Sequence, residues 1–199
     1  MSMKVVSQIS EPQFELEFLS SEWHKDFYDS VRAQFNEIVT NPDISNWEQN
    51  YWRKELLWRL RAPLLAQLPF NIQWHVIGLD AGEFEHIRVI REHGWNRTFG
   101  ERKNLMEVAE AVQKNLPDEW GVNFPQILDM KNNVGRTEFK ERIILISSGL
   151  TGPYTVLEGN HRAVAFALKK LESEQINHVP KQYILGISPT MSSAYWLNG

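Results

Sequence analysis

Apolar residues recur along this chain with two periods, and the change from one to the other marks the elements it predicts. Val164, Ala167, Leu168 and Leu171 stand at i, i+3, i+4 and i+7, the spacing of one helical face, and Leu105, Val108, Ala109, Val112 and Leu116 do the same. Trp23, Phe27, Val31, Phe35 and Ile38 predict a helix opened by Ser20 or Ser21 and stopped after about Thr40 by Asn41-Pro42-Asp43. Ser45-x-x-Glu48 has the form of a capping box and predicts a second helix to about Ala62, where Pro63 kinks or ends it. The two read as a helical hairpin.

Strands are expected where the period falls to two or where short apolar runs lie between turn residues. Gln13 to Phe18 alternates polar and apolar, as an edge strand does, and Ile72–Leu79, Ile143–Ser148, Tyr154–Leu157 and Tyr183–Ile187 complete the set. Asp80-x-x-Glu83 predicts a cap on a short helix carrying Phe84, Ile87 and Ile90 or Arg91, and His93–Arg102 reads as a polar, glycine-containing loop. The stretch 117–142 is a connecting excursion with a short helix around Pro125–Lys131, and Ser147–Pro153 is a hairpin loop. The fold class expected is α+β: a small mixed sheet with packed helices, with residues 1–70 as an N-terminal strand and hairpin extension and residues 71–199 as the main domain, together one unit.

Tyr154–Leu157 passes directly into the helix that begins near Asn160, and that corner carries the chemistry. Gly159 lets the backbone turn tightly, while the first amides of the helix have no intrahelical acceptor and lie at the positive end of its dipole. Such a corner favours phosphate or carboxylate. Arg162 adds a planar fork of donors, His161 a donor that titrates near neutrality, and Glu158 a carboxylate able to contact Mg²⁺ or take a proton. Read without a ligand, the same residues form an ordinary tight turn with a solvated arginine.

Composition narrows the classes. The chain has 199 residues, 42% of them hydrophobic, with 8 Trp, 10 Phe and 5 Tyr, enough for an aromatic-rich core. A net charge of −4 argues against bulk capture of nucleic acid. With no cysteine there are no disulfides and no thiol chemistry. The histidines have no zinc-ligand spacing, and no P-loop or dinucleotide fingerprint is present, so no zinc, haem or flavin site is expected. No leader-like start and no window of about 18 uninterrupted apolar residues occurs, which predicts a cytoplasmic protein without membrane spans. The predicted second helix interleaves Trp47, Tyr51, Trp52 and Trp58 with Arg53, Lys54, Arg59 and Arg61; most of its aromatics are expected in the core and its cations in solvent, with a protein partner as the alternative.

The motif Leu157-Glu-Gly-Asn-His-Arg-Ala163 resembles that of the ParB/sulfiredoxin family, in which a strand ends in an acidic residue followed by Gly-x-His/Arg-Arg and an alanine-rich helix. The likeness extends over Ile143 to Ile187. It implies a nucleotide or other phosphorylated ligand on Gly159, Asn160, His161 and Arg162, with Mg²⁺ arriving alongside, and Glu158 and His161 as catalytic groups if phosphoryl transfer or nucleotide hydrolysis occurs. Relatives bring an earlier loop and helix over the motif, which implies further contacts: Trp95 stacking a base, Arg97 or Arg102 meeting phosphate, and Ser148 lining the pocket. Sulfiredoxins carry a catalytic cysteine where this chain has Asn160, so sulfinic acid reduction is excluded. Partition proteins carry a second motif and a helix-turn-helix domain, and with only Ser188–Gly199 after the last expected strand neither is expected here. A third branch phosphorylates free serine or similar hydroxyl compounds. The alternatives to an enzyme are a nucleotide-sensing module that uses the aromatic hairpin as its partner surface, and a DNA-associated, nuclease-like relative.

Overall fold

Ile143-Ile-Leu-Ile146 and Tyr183-Ile-Leu185 are apolar at every position, and such strands need cover on both faces. The computed structural model describes residues 3–100, 104–114, 118, 120–135, 139, 141–172 and 179–194. In chain order the elements are β1 (Lys4–Ile9), α1 (Glu11–Glu22), α2 (Asp29–Thr40), α3 (Trp47–Leu65), β2 (Gln73–Gly78), α4 (Ala81–Glu85), α5 (His93–Phe99), α6 (Leu105–Gln113), α7 (Phe124–Asn133), β3 (Ile143–Ser147), β4 (Thr155–Glu158), α8 (Asn160–Glu172) and β5 (Tyr183–Ile187). The class is mixed α+β. The sheet runs β1-β2-β5-β3-β4, with β3 parallel to β5 and every other pair antiparallel.

Alternation along the strands builds two cores. Ile143, Leu145, Val156, Tyr183 and Leu185 face α6, α7 and α8, while Trp74, Ile144, Ile146, Leu157 and Ile184 face α1 and α3. The outer edge of β4 is closed by backbone rather than a further strand: Arg88 donates to the Tyr154 carbonyl at 2.8 Å and accepts from the Val156 amide at 2.8 Å. That pairing is why the helix expected to carry Ile87 and Ile90 stops at Glu85. Among the described residues no helix is long and apolar enough to cross a membrane.

The N-terminal third departs from the expected pattern in several places. Gln13–Phe18 is not an edge strand but the body of α1, and β1 takes the edge. Phe14 and Phe18 are two alternations apart and also one helical turn apart, so both periods fit them. The decision lies upstream, where Ser10 and Gln13 form a reciprocal capping box, the Ser10 amide reaching the Gln13 side chain at 2.8 Å, with Pro12 in the first turn. The helix expected from Ser20 to Thr40 is broken after Glu22 by a turn and a single 3-10 turn at Asp26–Tyr28. The Arg32 guanidinium takes the carbonyls of Trp23 and Lys25 at 2.9 Å each, which stabilises the break.

Asn46 rather than Ser45 caps α3, accepting from the amides of Glu48 and Gln49 at 3.0 and 3.1 Å, and Pro63 sits inside the last turn without ending the helix at Ala62. Helix α3 packs chiefly on α1, so the expected two-helix hairpin is a three-helix layer. Its surface is also reversed in part. Arg53 is fully buried, donating to the carbonyls of Ile38 and Asp43 at 2.8 and 3.2 Å, while Trp47 is 76% exposed and Tyr51 50%. The residues 93–99 of the expected polar loop form helix α5.

Candidate functional site

The corner between β4 and α8 turns on Gly159, whose φ of +92° is the left-handed region. A Cβ there would come within 3.1 Å of the Arg162 guanidinium, so the glycine lets that side chain fold back against the turn. The Ala163 amide closes the first helical bond on the Gly159 carbonyl at 2.8 Å, and the amides of Asn160, His161 and Arg162 take no backbone acceptor among the described residues. A cleft of about 210 Å³ opens at this corner. Its near wall is Glu158 to Arg162, and its far wall is Ser21 of α1, His24 and Lys25 just beyond that helix, Arg61 and Leu64 from α3, Glu92, and Trp95 from α5.

Two carboxylates organise the charge. Glu22 is 1% exposed and holds Arg61 at 2.6 Å through one oxygen and Lys25 through the other. Burial works against its charge, but the Arg61 and Lys25 cations outweigh it and keep its carboxyl below the ordinary range. Glu158, with a side chain 18% exposed, is pushed the opposite way, first by burial and then by the Glu22 charge, against the pull of Arg162 and Arg61. The Ser21 hydroxyl has one hydrogen and lies 2.8 Å from the Phe18 carbonyl, which can only accept. At 3.0 Å the same hydroxyl also donates toward Glu158 Oε1, so its one hydrogen is shared between the two acceptors.

The other motif residues are brought together, but much of their hydrogen bonding is already used. The Arg162 guanidinium lies 3.3 Å from Glu141 and 3.6 Å from Glu158, and donates to the Arg142 carbonyl at 3.4 Å. Its fork is thus the inner lining of the corner rather than a free clamp. Asn160 accepts from the Ile90 amide at 3.1 Å, tying the strand-to-α5 connection to the corner. His161 donates through Nε2 to the Val122 carbonyl and meets the edge of Trp95, ring centroids 5.3 Å apart. Burial lowers its pKa, so the imidazole is neutral with its tautomer fixed by that bond. Asn160→Ala is expected to cost about 1–2 kcal/mol, the penalty for orphaning a buried amide, measured as a shift in urea midpoint at unchanged slope.

Of the further residues expected at the pocket, Trp95 lines it and two do not. Arg97 lies over the Trp120 ring, 4.6 Å from its centroid, away from the cleft. Ser148 is exposed at the wrong end of the sheet: the antiparallel pairing sets Glu158 opposite Ile144, so the 148–153 turn falls at the far end of the β3–β4 hairpin. Arg102 lies outside the described residues. Lys25, Arg61, His24 and the pair Ser21–Glu22 were not expected at the site; they come from the layer across the sheet, and no spacing in the sequence ties them to residues 158–162. Among the described residues no group of three or more His, Asp or Glu side chains is placed to hold a metal ion. No protein-family model, no curated protein sequence and no solved structure matches the chain.

Proposed function

We propose that this cleft binds a phosphorylated small molecule, a nucleotide being the expected class. The observation that carries the proposal is the convergence of Lys25, Arg61 and the free amides of residues 160–162 on one cleft, with Arg162 as its inner lining and with the pKa of its nearest carboxyl, Glu158, raised by burial and by Glu22. The raised Glu158 carboxyl favours its neutral form, which donates to a phosphate oxygen where an ionised one repels it. Lys25 and Arg61, already drawn in by Glu22, supply charge without a further cost of ordering. Trp95, Leu64, Ile90 and Leu157 offer apolar surface to whatever the phosphate is attached to. Lys25, Arg61 and Arg162 outnumber the acids Glu92 and Glu158 in the lining, so Mg²⁺ enters only as a complex with the ligand's phosphates. The order of strand, acid, Gly-Asn-His-Arg and helix supports kinship with the ParB/sulfiredoxin fold, whose loop of that form holds nucleotide phosphates.

A catalytic reading rests on the same raised carboxyl. Glu158 is suited to be a general acid that protonates a leaving group, and less suited to be the base that activates a hydroxyl.

Calorimetric titration with inorganic phosphate, ADP, ATP and CTP, each with and without Mg²⁺, tests the proposal. Saturable binding of at least one anion is expected, weakened about tenfold in Lys25→Ala, the loss of one charge-assisted contact. Lys25 is 39% exposed, so this variant should keep the fold. No saturable heat with any of these ligands, or equal affinity in Lys25→Ala and Arg61→Ala, would sink the binding site. Nucleotide left intact over long incubation would sink the catalytic reading alone.

A further inference from the structure

A second cavity, of about 370 Å³, lies between α1, α3, the 66–70 connection and the start of β2, and shares no lining residue with the first cleft. Its floor is apolar and buried. Phe14 and Trp74 stack with centroids 3.6 Å apart, and both are buried, as are Leu57 and Leu65. Trp58 and Phe70 stand exposed in its wall, so its opening is aromatic as well. A volume of this order falls in the range of small-molecule sites, which are mostly apolar with a few placed polar groups.

Those polar groups are Glu11, Glu15 and Lys54. Glu15 is the unusual one: it is 5% exposed, yet it lines an open apolar cavity. Its ion pair among the described residues is with Lys54, whose ammonium stands 3.3 Å from Oε1 of Glu15 and 3.2 Å from Oε1 of Glu11. The Lys54 side chain is 46% exposed, free to leave or to share the site. Once Glu15 is ionised, two carboxylates against one ammonium leave the polar end of the cavity an excess of negative charge. Lys54 already shows the geometry in which an ammonium satisfies both. Aromatic faces beside carboxylates are the setting in which organic cations are held, by ring quadrupole and charge together.

We infer that this cavity is a binding site for a small aromatic or alkyl amine, with the hydrocarbon body on Phe14, Trp58 and Trp74 and the ammonium on Glu15 and Glu11. Burial raises the Glu15 carboxyl to about 7, with Lys54 opposing and Glu11 assisting the shift. The charged groups that face it are Glu11 on its own helix and Lys54 and Arg53 from α3. Affinity for an amine therefore strengthens as pH rises through neutrality and Glu15 ionises.

The test uses 2-phenylethylamine as probe and 3-phenylpropionate as a comparator of similar shape and opposite charge, followed by the indole cross-peaks of Trp58 and Trp74 in two-dimensional NMR. Saturable shifts are expected with the amine, at least about tenfold tighter than with the carboxylate, as expected for one gained rather than repelled charge contact. Glu15→Gln should lose about tenfold, and binding to the unmodified chain should tighten between pH 6 and pH 8. The pH series keeps the test decisive if Glu15→Gln does not fold. The proposal is overturned by equal binding of amine and carboxylate, by a folded Glu15→Gln of unchanged affinity, by tightening on acidification, or by no saturable shift up to about 10 mM, the weakest affinity such a contact set would leave.

Discussion

Glu22→Ala is expected to destabilise the protein by about 3–5 kcal/mol at neutral pH, the cost of removing one partner from a buried ion cluster. Arg61 keeps 24% of its side chain exposed, too little to solvate a guanidinium whose carboxylate has gone, and Lys25 loses its anchor at the same time. The sign with pH follows from the direction of the shift. Glu22 has its folded pKa depressed below the ordinary 4.5, so its contribution is present above that value and disappears as pH falls through the folded one. Unfolding of wild type and variant in urea should therefore differ most near pH 7 and converge in acid. Glu158 has the opposite sign: its carboxyl is raised, and stability declines as pH climbs from the ordinary range through the folded value. Without Glu22 beside it, Glu158 should ionise at lower pH and take Arg61 as partner, bringing the loss toward the lower end of the range. A carbon-13 titration of the Glu158 carboxyl reads this directly. An unmoved Glu158 pKa, or a loss that does not shrink in acid, would contradict the account of the cluster.

What the sequence reveals about this site is limited by distance along the chain. The corner at Glu158–Arg162 was legible because its causes are local: an apolar run, one glycine, then helical spacing from Val164. Ser21, Lys25 and Arg61 reach the same cleft only because α1 and α3 cover the face of the sheet carrying Ile144, Ile146 and Leu157, a fact of tertiary packing. Gln13–Phe18 misleads because positions four apart satisfy both periods, and the tie is broken by Ser10 and Pro12, which lie outside the alternating segment. Arg53 reads as a surface cation until the carbonyls of Ile38 and Asp43 are seen to end beside it. Ser148 was avoidable: a hairpin turn always lies at the opposite end from the residue that follows its second strand, so it does not line a site at that residue.

Gly186→Ala is expected to cost about 2–3 kcal/mol, although the same change at an open strand position is mildly favourable. Gly186 lies in β5 directly opposite Trp74 of β2, and the indole crosses over it. A Cβ at Gly186 would stand 2.4 Å from Trp74 Cζ3, 2.7 Å from Cη2 and 2.9 Å from Cε3, all inside van der Waals contact. The ring has little freedom to yield, since its other side is stacked on Phe14 at 3.6 Å with planes 8° apart, and Trp74 is 4% exposed. The strain must pass into the backbone of a central strand or push the indole into the second cavity. A double-mutant cycle separates these from a general intolerance of β5. Trp74→Phe trims the overlapping ring, so the two changes together should be less damaging than their sum by at least about 1 kcal/mol, a coupling expected only of residues in contact. Because Trp74 forms a wall of the amine site, Gly186→Ala should also weaken 2-phenylethylamine binding while leaving phosphate binding at the first cleft unchanged. Additive energies, or an alanine variant as stable as the parent, would mean that the indole and the glycine are not packed as described.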